Sequence, residues 1–289
     1  MLKQKNKYLP LLGLSLACCL WGVEYILVEI VLGQLSPAAF SLLRLLVAAL
    51  TLGLVALAGR TRLAVATGDL PRLLLSGGLG LGLYLFFENQ GVRLTSGAVA
   101  SMILACTPIM GLAADRLFYR RPITGRKTLA ALGSMAGVAL IVADNLAAGA
   151  GLGGSLMMLG AAAMWTAYIT ASKPLLDKYS AVCVQFWPTL AAAAVSAPLA
   201  LDDIPATVAA LDGRTAMLVA IIGVCCTTLA QFVYARSLRR VSVSVATLFE
   251  NLAPLASVVC GLILLGTLPT AWQLLGGGMV ILCVLLAAE

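Results

Sequence analysis

The 289-residue chain is 61% hydrophobic and only 11% charged, against about 45–50% and about 25% in ordinary soluble domains. A soluble protein of this length could not bury so much apolar surface, so the composition predicts an integral membrane protein. The net charge of +7 does not indicate a nucleic-acid partner, because the cations lie in short clusters between apolar runs and form no broad basic face.

Ten apolar runs are each long enough to cross a bilayer as a helix, which takes about 20 residues. In chain order we place them at 8–32, 37–57, 71–90, 96–117, 127–143, 154–173, 180–200, 215–236, 242–265 and 270–288. The longest connection falls near 201–214. The first run lacks a clear cleavage site and is interpreted as a retained span. The predicted fold class is therefore an all-α integral membrane protein with ten transmembrane helices.

The positions of Lys and Arg predict how the chain is oriented in the membrane. With the N-terminus in the cytoplasm, sixteen of the nineteen cations fall in inside loops, two fall in outside loops, and Arg44 lies within a span. This bias predicts ten spans with both termini cytoplasmic. The expected location is the inner (cytoplasmic) membrane, as a multi-pass protein.

The ten spans divide into two sets of five, residues 1–145 and 146–289, with weak internal similarity. The matches superpose Trp21 on Trp165 and Glu24 on Tyr168 at an offset of 144, and Ser96 on Ser242 and Pro108 on Pro254 at an offset of 146. Because five is odd, the second set would be inverted relative to the first. Inverted repeats around a midplane site are a recurring plan of secondary transporters.

In the order and duplication of its motifs the sequence resembles the ten-helix EamA-type exporters of the drug/metabolite transporter superfamily. The resembling features are Trp21 and Trp165 near the start of each half, Pro108 and Pro254, "SLRRVSVSVA" at 237–246, and the glycines Gly133, Gly137, Gly276, Gly277 and Gly278. The resemblance implies two five-helix halves around a central cavity, alternating access, and export of small metabolites, amino acids or toxic amphiphiles. The family often carries a Glu after each proline-bearing span, and "RLFYRRPIT" and "LLGTLPTA" lack it, so no role is transferred to that position.

Glu24 lies inside the first predicted span, where an ionisable side chain indicates function by default. Trp21, Tyr25 and Val28 share one helical face with it by their i, i+3 and i+4 spacing. One interpretation is a cavity wall, in which the aromatic rings stack on a substrate and the carboxylate binds a cation or proton. The other is a structural pair with Arg44 on the next span, and the two are compatible.

Glu250 and Asn251 precede Pro254 by four and three residues. Proline removes one backbone hydrogen bond and crowds the carbonyl one turn earlier, here that of Glu250. Polar backbone at membrane depth is tolerated only where it faces protein or a watery cavity. The pattern therefore predicts helix breaks at Pro108 and Pro254, and either a cavity role for Glu250 and Asn251 or a polar clamp that satisfies the break.

Other polar residues within the spans are weaker candidates. Glu88, Asn89 and Gln90 end the third predicted span, either as an outer vestibule or, as we favour, as a solvated helix end. The further candidate lining residues are Tyr84, Trp165, Tyr168, Gln231 and Tyr234, while Gln185 is either lining or helix-packing glue. Gly-rich "GGLGLG" at 77–82 lies inside a span and predicts close helix packing.

These features predict a secondary active transporter, an exporter of small metabolites such as amino acids or amphiphilic and cationic compounds. Glu24 and Glu250 are the candidates for a coupled proton, and the sequence contains no nucleotide-binding loop. An uncoupled facilitator or exchanger stays open, and an integral-membrane lipid enzyme is a remote alternative. With no histidine and no zinc-site cysteine spacing, we expect no metal, no cofactor and no enzyme activity. The expected partners are a small-molecule substrate and the lipid bilayer.

Overall fold

The computed structural model describes residues 2–95, 100, 103–141, 152–265 and 268–288, and every regular element among them is helical. The helices in chain order are α1 (Leu2–Leu32), α2 (Pro37–Ala58), α3 (Leu70–Leu94), α4 (Thr107–Tyr119), α5 (Gly125–Ile141), α6 (Leu152–Asp177), α7 (Ala181–Ala210), α8 (Gly213–Leu238), α9 (Val243–Glu250), α10 (Leu252–Leu265) and α11 (Ala271–Ala288). The all-helical prediction is confirmed for the described residues.

The outer surface of the helices is apolar, as a lipid-facing surface should be. Among the described residues, six helices are long and apolar enough to cross a membrane by length and composition: α1, α2, α3, α6, α7 and α8. Along α2, Leu46, Leu50, Leu54 and Leu57 are all exposed and follow one another at helical spacing. An exposed apolar stripe of this length indicates contact with lipid.

One predicted boundary is wrong. The sequence placed a connection near 201–214, but α7 continues through Leu201–Asp203 as a 3₁₀ turn and Ile204–Ala210 as α-helix. Asp202 and Asp203 lie in the first turn of this continuation, followed by Pro205. Acidic residues and proline both favour the first turn of a helix, so the polar composition that suggested a loop instead begins a helical turn.

Two helices are interrupted where the sequence places proline. A turn at Ala105 and Cys106 precedes α4, and Asn251 separates α9 from α10. Each interruption begins three residues before its proline, Pro108 or Pro254. The interruptions are in contact, since Asn251 Nδ2 lies 3.5 Å from the carbonyl oxygen of Ala105. Such discontinuous helices are where transporters expose polar backbone to a site.

Two other helices contain a π-helical stretch, Ser76–Gly82 in α3 and Ile222–Ala230 in α8. The two stretches begin 146 residues apart, the same offset that superposes the two prolines. Within the second stretch the carbonyl of Cys226 accepts a hydrogen bond of 3.1 Å from Trp21 Nε1. π-Helical turns occur frequently at functional sites because they redirect backbone groups of this kind.

Glycines bring helices into close contact, as the sequence predicted for 77–82. A Cβ at Gly80 would lie 2.8 Å from the Cβ of Tyr168, and one at Gly77 would clash with the backbone of Pro188. A Cβ at Gly137 would likewise lie 2.8 Å from the carbonyl oxygen of Gly276, where α5 packs on α11. Small residues at these crossings let the helix backbones approach closely, so the packing prediction is confirmed.

Contacts near the ends of the helices connect neighbouring segments. Lys178 and Tyr179, just before α7, donate hydrogen bonds of 3.0 and 2.9 Å to Asp69 Oδ2 before α3. These two donors hold the pKa of Asp69 below its ordinary value. Trp187 Nε1 donates to the carbonyl of Leu63 at 2.8 Å. The segment between α2 and α3 is therefore attached to the start of α7.

Asp115 of α4 caps the start of α9. Its carboxylate accepts hydrogen bonds from the amide nitrogens of Val243 and Ser244 at 3.3 and 3.0 Å, and from Ser244 Oγ at 2.5 Å. Asp115 is only 3% exposed. We expect Asp115→Ala to lower the free energy of unfolding by about 2 kcal/mol, because two buried amides lose their acceptor and the helix N-terminus loses a negative charge. Thermal unfolding in detergent measures this change.

The matched control is Asp177→Ala, which removes an ion pair with Arg239 at 3.4 Å between two largely exposed side chains. We expect this variant to stay within about 0.5 kcal/mol of the parent protein, because exposed ion pairs contribute little. Equal melting temperatures for the two variants would contradict the capping role of Asp115.

Candidate functional site

A cavity lies between helices from the N-terminal and C-terminal halves of the chain, and eight of the ten predicted binding residues line it. The eight are Trp21, Glu24, Tyr25, Tyr84, Trp165, Gln231, Glu250 and Asn251. The cavity has a volume of about 60 Å³. Since one buried water needs about 10–15 Å³, there is room for several waters or for a small solute.

One face of α1 forms a wall of this cavity. Trp21, Glu24, Tyr25 and Val28 all line it, as their helical spacing predicted. Glu29, five residues after Glu24, is exposed on the surface. The two acids of α1 therefore lie in different environments, and only Glu24 belongs to the cavity.

Glu24 forms an ion pair with Arg44 of α2, and both residues line the cavity. Arg44 is 2% exposed, and its Nε also donates to Thr227 Oγ1 at 3.1 Å. Its guanidinium lies over the ring of Phe40 at 5.4 Å from the centroid. Among the described residues, Arg44 Nη1 has no hydrogen-bond partner. The structural pair and the cavity wall therefore coexist, and Arg44 keeps one donor for another group.

Glu250 lies at the end of α9 and is held by three donors from three helices. Trp165 Nε1 and Tyr234 Oη donate to its Oε1 at 2.7 and 2.6 Å. Thr107 Oγ1 donates to its Oε2 at 3.1 Å. The carboxylate therefore links α4, α6 and α8 at the edge of the cavity. Thr107 was not among the predicted site residues, so the sequence missed this contact.

Asn251 combines the two roles that the sequence left open. It lines the cavity, and its side-chain amide donates to Ser134 Oγ at 2.8 Å. Its second contact, with the carbonyl of Ala105, lies at the interruption before α4. Pro254 lines the cavity as well, whereas Pro108 lines a separate small cavity.

The predicted solvated helix end at Glu88 and Asn89 is wrong. Glu88 is 8% exposed and lines the cavity, and Asn89 is fully buried and donates to Ser41 Oγ at 2.7 Å. The reason is that α3 continues to Leu94, so these residues lie inside the helix and pack against α2. Tyr84 Oη donates to Glu88 Oε1 at 2.5 Å. The i, i+4 spacing of Tyr84 and Glu88 is the signal that could have indicated the site.

An aromatic cluster borders the cavity, with Trp165 at its centre. Its ring lies 5.5 Å from that of Trp21 and 5.1 Å from that of Tyr84, measured between centroids. Tyr168 and Tyr234 lie 5.5 and 5.7 Å from Trp165. Ring pairs at these distances and tilts attract one another beyond their burial, so the contacts between the rings stabilise this boundary of the cavity.

Tyr168 and Tyr234 do not line the main cavity. They line a smaller one of about 10 Å³, which shares Trp165 and Gln231 with the main cavity. Gln185 also lines this smaller cavity. Among the described residues, the side-chain oxygens (Oε1) of Gln185 and Gln231 are buried without a hydrogen-bond partner. A space of this size with free acceptors fits one water molecule.

The cavity can bind a charged solute through its side chains. Three acids, Glu24, Glu88 and Glu250, face one cation, Arg44. The described residues contain no cluster of side chains that could hold a metal ion. The site therefore offers carboxylates, one guanidinium donor and aromatic rings, a set suited to binding a small organic molecule.

Comparison with known proteins places the chain among transporters. The profile of the EamA-like transporter family matches it twice, over residues 9–143 and 152–288. An uncharacterized transporter of Archaeoglobus fulgidus is 27% identical over 274 residues, covering 93% of this chain and 95% of the relative. A protein of Streptantibioticus cattleyicolor, named a probable terminal-alkyne amino-acid exporter, is 26% identical over 274 residues, 95% of this chain and 91% of that one.

A solved crystal structure shares the fold, with a TM-score of 0.81, 18% sequence identity and coverage of 96% of both chains. The names of the family and of the relatives point to transport and away from an enzyme. Since the family profile covers nearly the whole length in two matches, the chain belongs to the EamA-like transporter family.

Proposed function

We propose that this protein is a secondary active transporter that exports small metabolites with an amino or cationic group by alternating access around the main cavity. The observation that carries the proposal is the cavity itself, where three acids, one arginine and several aromatic rings from separate helices converge. Amino acids and amphiphilic cations both combine an apolar body with such a charged group. A concave site lined by aromatic side chains with a few convergent charged groups is typical of small-molecule sites.

The proposed architecture is two inverted five-helix repeats, 1–145 and 146–289. The ten spans cross the inner membrane, and both termini lie in the cytoplasm. The two family matches, 9–143 and 152–288, support this division. The interruptions before Pro108 and Pro254 and the two π-helical stretches support it too, because they recur at one offset.

Helix packing supports the same symmetry. α1 packs on α8 and α10, and α6 packs on α3 and α4. In the proposed repeat α1 corresponds to α6, α3 to α8, and α4 to α10, so these two sets of contacts are equivalent. The pairs α2 with α7 and α5 with α11 join counterparts directly. If each half contacts the other in the same way, the two halves can exchange their packing arrangements. Alternating access in secondary transporters involves such a movement of one repeat against the other.

The polar atoms of the cavity support an amino acid as one substrate class. Arg44 Nη1 is a buried donor with no partner among the described residues, and a guanidinium matches a carboxylate group. The carboxylates of the cavity match an ammonium group, and the rings of Trp21 and Trp165 match an apolar side chain. The relative from Streptantibioticus cattleyicolor is itself named an amino-acid exporter.

The energy source is proposed to be an ion gradient, with a proton carried by a cavity carboxylate. A specific observation favours a second candidate, an uncoupled facilitator. Glu24 is paired with Arg44, and Glu250 accepts three hydrogen bonds. A proton taken up in each cycle would have to weaken or displace these contacts, which argues against proton exchange by either carboxylate.

Counterflow in proteoliposomes tests the proposed function. Vesicles loaded with unlabelled L-leucine, L-phenylalanine or tetraethylammonium are diluted into a trace of the same labelled compound. We expect at least one compound to accumulate several-fold above protein-free vesicles, and accumulation of none would show that the proposed substrate class is wrong. An acidic lumen should accelerate uptake if a proton leaves in exchange, whereas an unchanged rate favours the facilitator.

A further inference from the structure

The three acids of the cavity differ in the hydrogen bonds and ion pairs that their carboxylates form with other side chains. Glu24 is paired with a buried guanidinium, and Glu250 is held by three donors. Among the described residues, Glu88 accepts a hydrogen bond only from Tyr84. We propose that Glu88 is the carboxylate that binds a protonated amine of the transported molecule. This inference rests on the transport function proposed above and assigns its amine specificity to one residue.

Glu24 is a poor ligand for an incoming amine because Arg44 already neutralises it. An ammonium group would have to compete with a guanidinium that is 2% exposed and is held by Thr227 as well. Separating a buried ion pair leaves two uncompensated charges, which is strongly unfavourable. Glu24 therefore serves to neutralise Arg44.

Glu250 is occupied from several directions. Two ring donors, Trp165 Nε1 and Tyr234 Oη, share its Oε1, and Thr107 occupies Oε2. The two rings also pack on each other at 5.7 Å, so neither donor can leave without disturbing the aromatic cluster. Glu250 is therefore better suited to joining helices than to exchanging ligands.

Glu88 has the properties that an amine site needs. Its partner Tyr84 lies one turn earlier on the same helix, and it donates to Oε1, so Oε2 is left for another donor. An ammonium has three donors and no acceptor, and an ionised carboxylate only accepts. Tyr25 and Tyr84 line the same cavity, and aromatic faces attract a cation further. The residue is 8% exposed, so the site is shielded from bulk solvent.

The test compares two probes of nearly the same shape, benzylamine, which is a cation at neutral pH, and benzyl alcohol, which is neutral. Titration calorimetry of the purified full-length protein measures both dissociation constants. We expect the parent protein to bind benzylamine about tenfold or more tightly than benzyl alcohol, as charge-assisted hydrogen bonds allow. Glu88→Gln should abolish this preference by weakening benzylamine binding alone, because the amide keeps the Tyr84 contact and loses the charge. Glu88→Asp, which keeps the negative charge, should retain part of the preference for benzylamine.

Glu29→Gln is the matched control, since it neutralises an acid that lies on the exposed surface of α1 and does not line the cavity, and it should keep the preference. Retention of the preference in Glu88→Gln would overturn the proposal, and so would its loss in Glu29→Gln or a parent protein without any preference. Thermal unfolding confirms that each variant is folded. If the preference depends on Glu88 while the proteoliposomes transport nothing, the amine site stands and the proposed function fails.

Discussion

Replacing Arg44 with alanine is expected to lower the free energy of unfolding by about 3–5 kcal/mol, because it leaves Glu24 buried without its cation. The hydrogen bond to Thr227 and the packing over Phe40 are lost in the same step. Transport should be abolished, because the substituted side chain lines the cavity. Thermal unfolding in detergent and counterflow in proteoliposomes measure the two effects.

The double variant Glu24→Leu with Arg44→Leu distinguishes a structural role of the pair from a functional one. Two apolar residues in place of a buried ion pair are often neutral or stabilising, so the double variant should regain most of the stability that Arg44→Ala loses. We expect it to remain inactive, because the free donor Arg44 Nη1 is gone. Normal transport by the double variant would show that the pair serves folding alone.

The sequence predicted those parts of the site that depend on one helix. Trp21, Glu24, Tyr25 and Val28 line the cavity together because residues three and four apart share a face of any α-helix. Hydropathy also predicted the all-helical character of the chain, since an apolar run must be helical to satisfy its backbone in lipid.

Contacts between helices could not be predicted in the same way. Glu88 was assigned to a solvated end because the hydropathy pattern stops at residue 90, but α3 continues to Leu94 and packs against α2. The three donors to Glu250 come from helices far apart in the chain. The spacing of residues within one helix does not indicate contacts with another helix. Only the structure therefore shows which acids accept hydrogen bonds from other parts of the protein.

The proposed internal repeat relates residues that no pattern within a single helix connects. Aligning the halves superposed Trp21 on Trp165, and in the structure these two rings stack edge to face at 5.5 Å. In a pair of repeats related by a twofold axis, equivalent residues that lie near the axis must meet. The helix interruptions at Ala105 and Asn251 meet in the same manner, although proline alone indicated them only to within three residues.

Gly22→Ala is expected to destabilise the protein by about 1–3 kcal/mol, the typical cost of overpacking a close contact. A Cβ at this position would lie 2.6 Å from the Cβ of Ala256, 3.0 Å from the amide nitrogen of Ser257, and closer still to the carbonyl oxygen of Ala253. Two of these are backbone atoms of α10, so relief requires α1 and α10 to separate. Because Trp21 and Glu24 flank this contact, we expect the counterflow rate to fall at least tenfold.

Gly53→Ala is the matched control in the middle of α2. The nearest atom to its new Cβ is Phe186 Cε2 at 3.6 Å, an ordinary contact. Alanine favours a helix by about 0.5–1 kcal/mol over glycine, so this variant should be slightly stabilised and should transport normally. If Gly22→Ala behaved like Gly53→Ala, then α1 and α10 could separate without penalty, and their close contact would not maintain the cavity wall.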